Sequence, residues 1–399
     1  MRKTNRGEAV KIVADENIPL VKDGFGRFGE VRVVPGRAIT AEAVRDAELL
    51  IVRSVTKVNG ALLDGSAVRF VGTCTIGTDH LDIEYLKRRG IAIASAPGSN
   101  ATSVAEYIAA VMLQLAKRQG FRLAEKTIGV VGVGNVGSRV AGRAEALGMK
   151  VMLGDPPLAR ETHDAKYRAL DEVLDGADIV TLHVPLEKGG ADPTWHMVDE
   201  GFLAKMRPGA VLFNSSRGAV HDTRAVLAAR RSGRLGALFL DVWENEPEVD
   251  VELVAAADVA SPHICGYSAD GKLAGVVIVH RAAAKFLGVK SEWDPSGQLP
   301  APIVPEVTLT DCTEPAEDLA RRLVLGTYDF ADDDRRMREM IKLPAAKRGK
   351  HFDALRRDCP CRREFHNTKI TLTGECRRLS STLAGLGFSV VENESEEVG

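Results

Sequence analysis

The chain has 399 residues, 45% of them hydrophobic and 27% charged, with 53 Lys and Arg against 55 Asp and Glu for a net charge of −2. That length supports two or three domains, each with its own core, and the composition excludes a disordered chain. The charge balance excludes an electrostatic grip on nucleic acid or acidic lipid.

The longest strongly apolar stretch, residues 107–116, falls short of the roughly 20 residues a membrane helix needs. The first twenty residues carry positive charge but no apolar segment for secretion, so no membrane or export role is expected. The cysteines Cys74, Cys265, Cys312, Cys359, Cys361 and Cys376 show no CxxC spacing. They read as reduced thiols of a cytoplasmic protein. No second pair at zinc spacing accompanies Cys359-Pro-Cys361, so no metal site is expected.

In chain order, KIVAD (11–15), EVRVV (30–34), LLIVRS (49–54), RFVGTC (69–74) and IAIASA (91–96) read as strands separated by helix-compatible segments. This alternation implies a parallel sheet with crossover helices. A longer helix is expected over 102–119, capped at Ser99, Asn100 or Thr102 and closed by Gly120. A second alternating block opens at Thr127: TIGVVG, KVMLGD, DIVTLHVP (178–185), AVLFNSS (210–216), ALFLDVW (237–243) and DVASPH (258–263). Pro156-Pro157 is read as forbidding a helix directly after KVMLGD. The stretch GVKSEWDPSGQLPAPIVPE reads as a linker. Beyond it, KITLTGE (369–375) and FSVVE (388–392) are expected as strands around a helix over 376–386, in a third unit of α+β type. The end, ENESEEVG, reads as disordered.

Gly132-Val-Gly134-Asn-Val-Gly137 follows an apolar strand and opens a helix. In that context the first glycine permits the tight turn, the second lets a pyrophosphate approach the backbone, and the third permits close helix packing. Free N–H groups at the helix start then face the phosphates. Asp155 ends the next strand, where a carboxylate accepts from both adenosine ribose hydroxyls and repels a 2′-phosphate, favouring NAD over NADP. A glycine turn with a capping carboxylate is the alternative.

Arg217, Glu246 and His263 each follow a strand of this block, and ligands of an open parallel sheet bind outside the strands' carboxyl ends. A guanidinium forks onto a carboxylate or a developing oxyanion. An imidazole takes a hydroxyl proton, and a neighbouring carboxylate fixes its tautomer. In the first block, Arg53, Ser54 and Lys57 offer charge and donors at one strand end and are read as a phosphate loop, with a solvated basic loop as the alternative. Thr75 ends a neighbouring strand. His80, His183 and His221 read as packing or loop residues.

SSRGAVHD, LDVWENEP and SPHICGY, placed after GVGNVG, resemble the signatures of the D-isomer-specific 2-hydroxyacid dehydrogenases. RSVTKV, GTDHLD, GDPP, HICGYSADGK and FDALRRDCPCRREF narrow the resemblance to the branch that oxidises 4-phospho-D-erythronate to 2-oxo-3-hydroxy-4-phosphobutanoate in vitamin B6 synthesis. It spans residues 11–391 and leaves residues 1–10 as a dispensable extension.

The resemblance implies Arg217 and Glu246 as active-site residues and His263 as proton donor or acceptor. It assigns NAD to Gly132, Gly134, Asn135, Val136, Gly137, Asp155, Asp241, Gly266 and the backbone at Val184, where the family pattern has threonine. It assigns substrate to Ser54, Thr75 and Tyr267. The fold expected is α/β: a flavodoxin-like substrate domain (1–97 with 268–286) and a Rossmann NAD domain (98–267), with a cleft between them. A C-terminal α+β dimerisation domain (287–399) then implies a homodimer. The rival readings are a dehydrogenase of 3-phosphoglycerate or hydroxypyruvate, and a non-catalytic NAD-sensing regulator on the same fold.

Overall fold

The computed structural model describes residues 9–393. The expectations for residues 1–8 and for the acidic end beyond 393 lie outside the described residues. The chain divides into two compact units: one runs to Asn100 and resumes over Ser268–Pro300, the other spans Ala101–Tyr267 and resumes at Ala301.

The first unit holds β1 (Val10–Asp15), β2 (Gly29–Val34), β3 (Leu49–Val52), β4 (Phe70–Thr73) and β5 (Ala92–Ala94), all parallel in the order β2-β1-β3-β4-β5. This is the flavodoxin-like order. The runs LLIV and FVGT are buried at every position, as strands covered on both faces must be. The helix Ala269–Leu287 closes one face with Val276, Val279 and Ala283. Its close approach requires Gly72, where a Cβ would stand 2.4 Å from the Val279 side chain. Packing continues past the helix: buried Trp293 donates its indole N–H to Asp23 at 2.7 Å. The first part of the stretch read as a linker therefore belongs to this unit.

In the second unit, β6 (Thr127–Val131), β7 (Lys150–Gly154), β8 (Ile179–Leu182), β9 (Ala210–Asn214), β10 (Leu235–Leu240) and β11 (Val259–Ala260) form a parallel sheet ordered β11-β10-β9-β8-β6-β7. The order reverses between β6 and β8, which makes that point the expected nucleotide crevice. A helix does start at Pro156, against the sequence expectation, and runs to Thr162. Prolines at the first helical positions give up only N–H groups that have no intrahelical partner, and Asp155 caps the turn by accepting from Leu158 N at 3.0 Å.

The C-terminal part adds a parallel sheet of β12 (Glu306–Leu309), β13 (Lys369–Leu372) and β14 (Ser389–Glu392). β12 begins at Glu306, the last residue of the stretch read as a linker, and is too short, at four residues, to stand out in the sequence. This sheet shares a core with the nucleotide sheet through the buried helix Ala101–Gln119, with Leu309, Leu319, Leu372 and Leu383 packing in the same cluster as Ile108, Val111 and Phe239. Among the described residues, no helix is long and apolar enough to cross a membrane.

The expectation of six free thiols fails at Cys312 and Cys376, which form a disulfide. Register explains the pairing. Leu309 stands opposite Leu372 in adjacent parallel strands, so residues shortly beyond the two strand ends meet, although 64 residues separate them in sequence.

Buried imidazoles give the fold an acid sensitivity. Burial pushes His221 down to about 4 and His183 down to about 3, from 6.5. Both stay neutral in the fold while their unfolded counterparts protonate near 6.5. Stability is therefore full above pH 6.5 and is lost as pH falls toward 4, roughly 3 kcal/mol for His221 alone. Urea unfolding between pH 7 and 5 is expected to show falling stability, with a smaller slope in His221→Gln. A flat profile would mean that these imidazoles are not held neutral.

Candidate active site

The loops that follow β7, β6, β8, β9, β10 and β11 carry, in that spatial order, Asp155, the glycine turn, Val184, Arg217, Asp241 with Glu246, and His263 with Tyr267. Parallel strands thus bring one edge together from residues up to 135 positions apart in sequence, Gly132 to Tyr267.

At the β6 end, Gly132 takes φ +86° and a Cβ there would lie 2.8 Å from the His183 carbonyl. A Cβ on Gly137 would lie 2.0 Å from the Gly132 oxygen, whereas that of Gly134 meets only open space. The helix Asn135–Ala146 begins directly after Gly134 with no side-chain cap. Its first N–H groups, beside exposed Gly134 and Asn135, fit a pyrophosphate. Asp155 accepts from Val133 N at 2.7 Å as well as capping its own helix. It therefore fulfils the capping alternative, and each oxygen retains a lone pair for a ribose hydroxyl. Val184 is partly buried beside the glycine turn, with its side chain 2.9 Å from where a Gly132 Cβ would stand. Val136 begins the buried flank of the helix.

Arg217 follows β9 in a turn organised by buried Asn214. The Asn214 amide donates to Arg217 O (3.0 Å) and to His221 Nδ1 (2.9 Å), and its oxygen accepts from Ser216 N and Oγ. Gly218 is obligatory, since a Cβ there would collide with the Trp243 carbonyl at 1.9 Å.

Glu246 and His263 meet. His263 Nδ1 donates to Glu246 Oε2 at 2.8 Å, and Glu246 Oε1 accepts from Trp243 N at 2.9 Å. With Nδ1 committed, Nε2 is the nitrogen left for a reacting hydroxyl. Burial by itself would raise the Glu246 carboxyl, but His263, Arg356 and the Trp243 N–H outweigh it and hold that carboxyl below its usual range. Glu246 is thus an anion beside the imidazole.

Asp241 is buried and already engaged. Its Oδ1 accepts from Ser261 Oγ at 2.7 Å and Ile264 N at 2.8 Å, and its Oδ2 accepts from Cys265 N at 3.1 Å. Its carbonyl also accepts from His263 N at 2.7 Å. The geometry therefore gives Asp241 a loop-holding task beside the cofactor contact the resemblance assigns. Gly266 and Tyr267 complete this loop, and Tyr267 Oη accepts from Arg356 at 3.0 Å.

In the first unit, Arg53 grips Asp15 (Nε to Oδ2 2.9 Å, Nη2 to Oδ1 3.4 Å), so its charge is already matched by a carboxylate. Ser54 and Lys57 are exposed. Thr75 Oγ1 donates to Gly77 O at 3.2 Å, so it must accept from Thr73 Oγ1 at 2.7 Å, which in turn accepts from His80 Nε2 at 3.0 Å. The Thr75 hydroxyl can therefore accept from a ligand but not donate to it.

Sequence reasoning missed Asn214, Arg356 and Arg362. Arg362 lies in the RREF stretch and is buried. It donates to the carbonyls of Ser103 (2.8 Å) and Cys265, and its guanidinium stacks 5.2 Å from the Tyr328 ring. No spacing signal could reveal it, because its partners lie 97 and 259 residues away.

Residues 100–265 match the family described as D-isomer specific 2-hydroxyacid dehydrogenase, NAD binding domain, and residues 298–387 match a domain of unknown function (DUF3410). The erythronate-4-phosphate dehydrogenase of Salinibacter ruber is 49% identical over 91% of this chain and 94% of its own. That of Shigella dysenteriae is 43% identical over 96% and 99%. Among solved structures, the D-lactate dehydrogenase of Aquifex aeolicus, complexed with NAD and lactic acid, superposes with a TM-score of 0.60 at 26% identity, covering 70% of this chain and 95% of that one. A 3-phosphoglycerate dehydrogenase of Entamoeba histolytica, with NAD bound, shares the fold at TM-score 0.59 and 24% identity over 70% and 96%. With a glycine cradle, an imidazole–carboxylate pair and near-full-length identity of this order, the chain belongs to the erythronate-4-phosphate dehydrogenase family of NAD-dependent D-isomer-specific 2-hydroxyacid dehydrogenases.

Proposed function

We propose that the protein oxidises 4-phospho-D-erythronate to 2-oxo-3-hydroxy-4-phosphobutanoate with NAD, in vitamin B6 synthesis. The observation that carries this reading is the 2.8 Å contact between His263 Nδ1 and Glu246 Oε2 on the sheet edge that also bears the glycine turn. NAD, when bound, supplies the acceptor for the C2 hydrogen. Arg217 holds the substrate carboxylate and the C2 oxygen. His263 Nε2 removes the C2 hydroxyl proton, and Glu246 stabilises the imidazolium that forms. Ser54, Thr75 and Tyr267 serve the substrate, Thr75 as an acceptor only.

The part of the expected C-terminal unit that starts at Ala301 is the proposed dimerisation element, the stretch before it belonging to the first unit. In support, β14 pairs only with β13 among the described residues and leaves Val391 41% exposed, which is the kind of open edge a second copy covers.

Steady-state assays with NAD are expected to give kcat/KM for 4-phosphoerythronate at least about tenfold above that for 3-phosphoglycerate or hydroxypyruvate, since a site that hydrogen-bonds one hydroxyl pattern rejects others strongly. Preference for either rival would replace the substrate assignment. Tight NADH binding with no turnover of any 2-hydroxy acid would indicate a regulator.

A further inference from the structure

Two cations stand at the candidate substrate contacts, and their surroundings differ. Arg53 is tied in a fork to Asp15, so an incoming phosphate would have to compete with a carboxylate already in place. Arg356 closes the helix Ala345–Arg357, inside the segment that matches the domain of unknown function. Its Nη2 donates to the phenol oxygen of Tyr267, and its guanidinium lies 5.8 Å from that ring. No carboxylate lies within ion-pair distance of it among the described residues, and its Nε is buried without a hydrogen-bond partner. The side chain is partly buried, not solvated.

Burial works against a charge there, yet Tyr267, Glu246 and Asp241 favour the guanidinium and outweigh it, so Arg356 stays a cation. The two carboxylates act on it through their field and not by contact, because they are hydrogen-bonded to His263 and to the backbone of the 263–267 loop, and its remaining N–H groups are left for a ligand. Arg217 already takes the substrate carboxylate in the proposed reaction, which leaves the phosphate as the second anionic group in need of a partner.

We infer that Arg356, with the Tyr267 hydroxyl it holds, binds the phosphate of the substrate, and that the C-terminal segment thereby determines specificity for a phosphorylated hydroxy acid. The inference rests on the proposed function for the identity of the phosphorylated substrate, and it moves the phosphate contact from the Arg53 loop to Arg356. A guanidinium that gives one N–H to Tyr267 offers further N–H groups in a plane that matches a phosphoryl group.

The test compares the full-length enzyme with Arg356→Met and Arg356→Lys. For Arg356→Met, KM for 4-phosphoerythronate is expected to rise about 10–100-fold, the usual value of a charge-assisted contact, with kcat within about threefold. Arg356→Lys is expected to recover part of that loss. Calorimetric titration of the NADH-loaded enzyme with inorganic phosphate reads the same contact without turnover, and Arg356→Met is expected to weaken binding at least about tenfold.

Unchanged phosphate binding, or a fall in kcat with KM unaltered, overturns the inference and leaves Arg356 as a support for the 263–267 loop. A wild-type enzyme that binds phosphate through Arg356 but does not turn over 4-phosphoerythronate would sustain the inference while removing the proposed substrate.

Discussion

Replacing His263 by alanine is expected to lower kcat by about 10²–10⁴-fold, the usual contribution of positioned acid–base catalysis, while the NAD dissociation constant stays nearly unchanged. The expectation follows from the hydrogen bond that commits Nδ1 to Glu246 and leaves Nε2 for the C2 hydroxyl. It also follows from location. His263 follows β11 at one end of the sheet, whereas the glycine turn and Asp155 follow β6 and β7 at the other. His263 takes φ +59°, a left-handed conformation that its N–H to Asp241 O bond helps to hold. Alanine tolerates that conformation with modest strain, so the loss should appear in turnover and not in folding. Stopped-flow NADH formation together with fluorescence titration of NADH separates the two quantities. Near-normal turnover would remove His263 from the chemistry.

The second large effect is expected at Asp241. Removing its carboxylate in Asp241→Ala strands the Ile264 and Cys265 N–H groups and the Ser261 hydroxyl in a buried setting. Buried donors left without acceptors cost about 1–3 kcal/mol each, so a total loss of about 3–5 kcal/mol is expected in urea unfolding. Turnover should fall with it, because the same loop carries His263, Gly266 and Tyr267. Asp241→Asn keeps one acceptor oxygen but turns an NH₂ toward the Cys265 N–H, and it is expected to fall between the wild type and alanine. A stable Asp241→Ala enzyme that has lost only NAD affinity would mean that the carboxylate faces the cofactor and not the loop.

The two proposals about arginines show where the sequence stops being readable. Arg53 looks like a phosphate ligand because it stands beside Ser54 and Lys57 at a strand end. Asp15, 38 residues earlier, meets it only because β1 and β3 are neighbours in the sheet. Arg356 carries no such local mark, since its partner Tyr267 is 89 residues away. The double proline after β7 misleads for a similar reason. Whether it breaks or starts a helix depends on its position relative to the Asp155 cap.

What the chain determined by itself was local and periodic: apolar runs alternating with helix formers, a glycine spacing directly after a strand, and polar residues at strand ends. Those patterns act over a few residues, so they dictated the doubly wound sheets, the cofactor turn and the candidate catalytic residues. Only the tertiary structure decided which ends became neighbours. Strand order set Glu246 against His263 and register paired Cys312 with Cys376. Two cores brought the arginines to the catalytic loop: Phe352 and Leu355, packed in one cluster with Trp243, place Arg356, and Phe365, packed with the helix Ala101–Gln119, places Arg362. Such contacts arise from burying apolar surface across long loops, a collective quantity that no short stretch of sequence encodes.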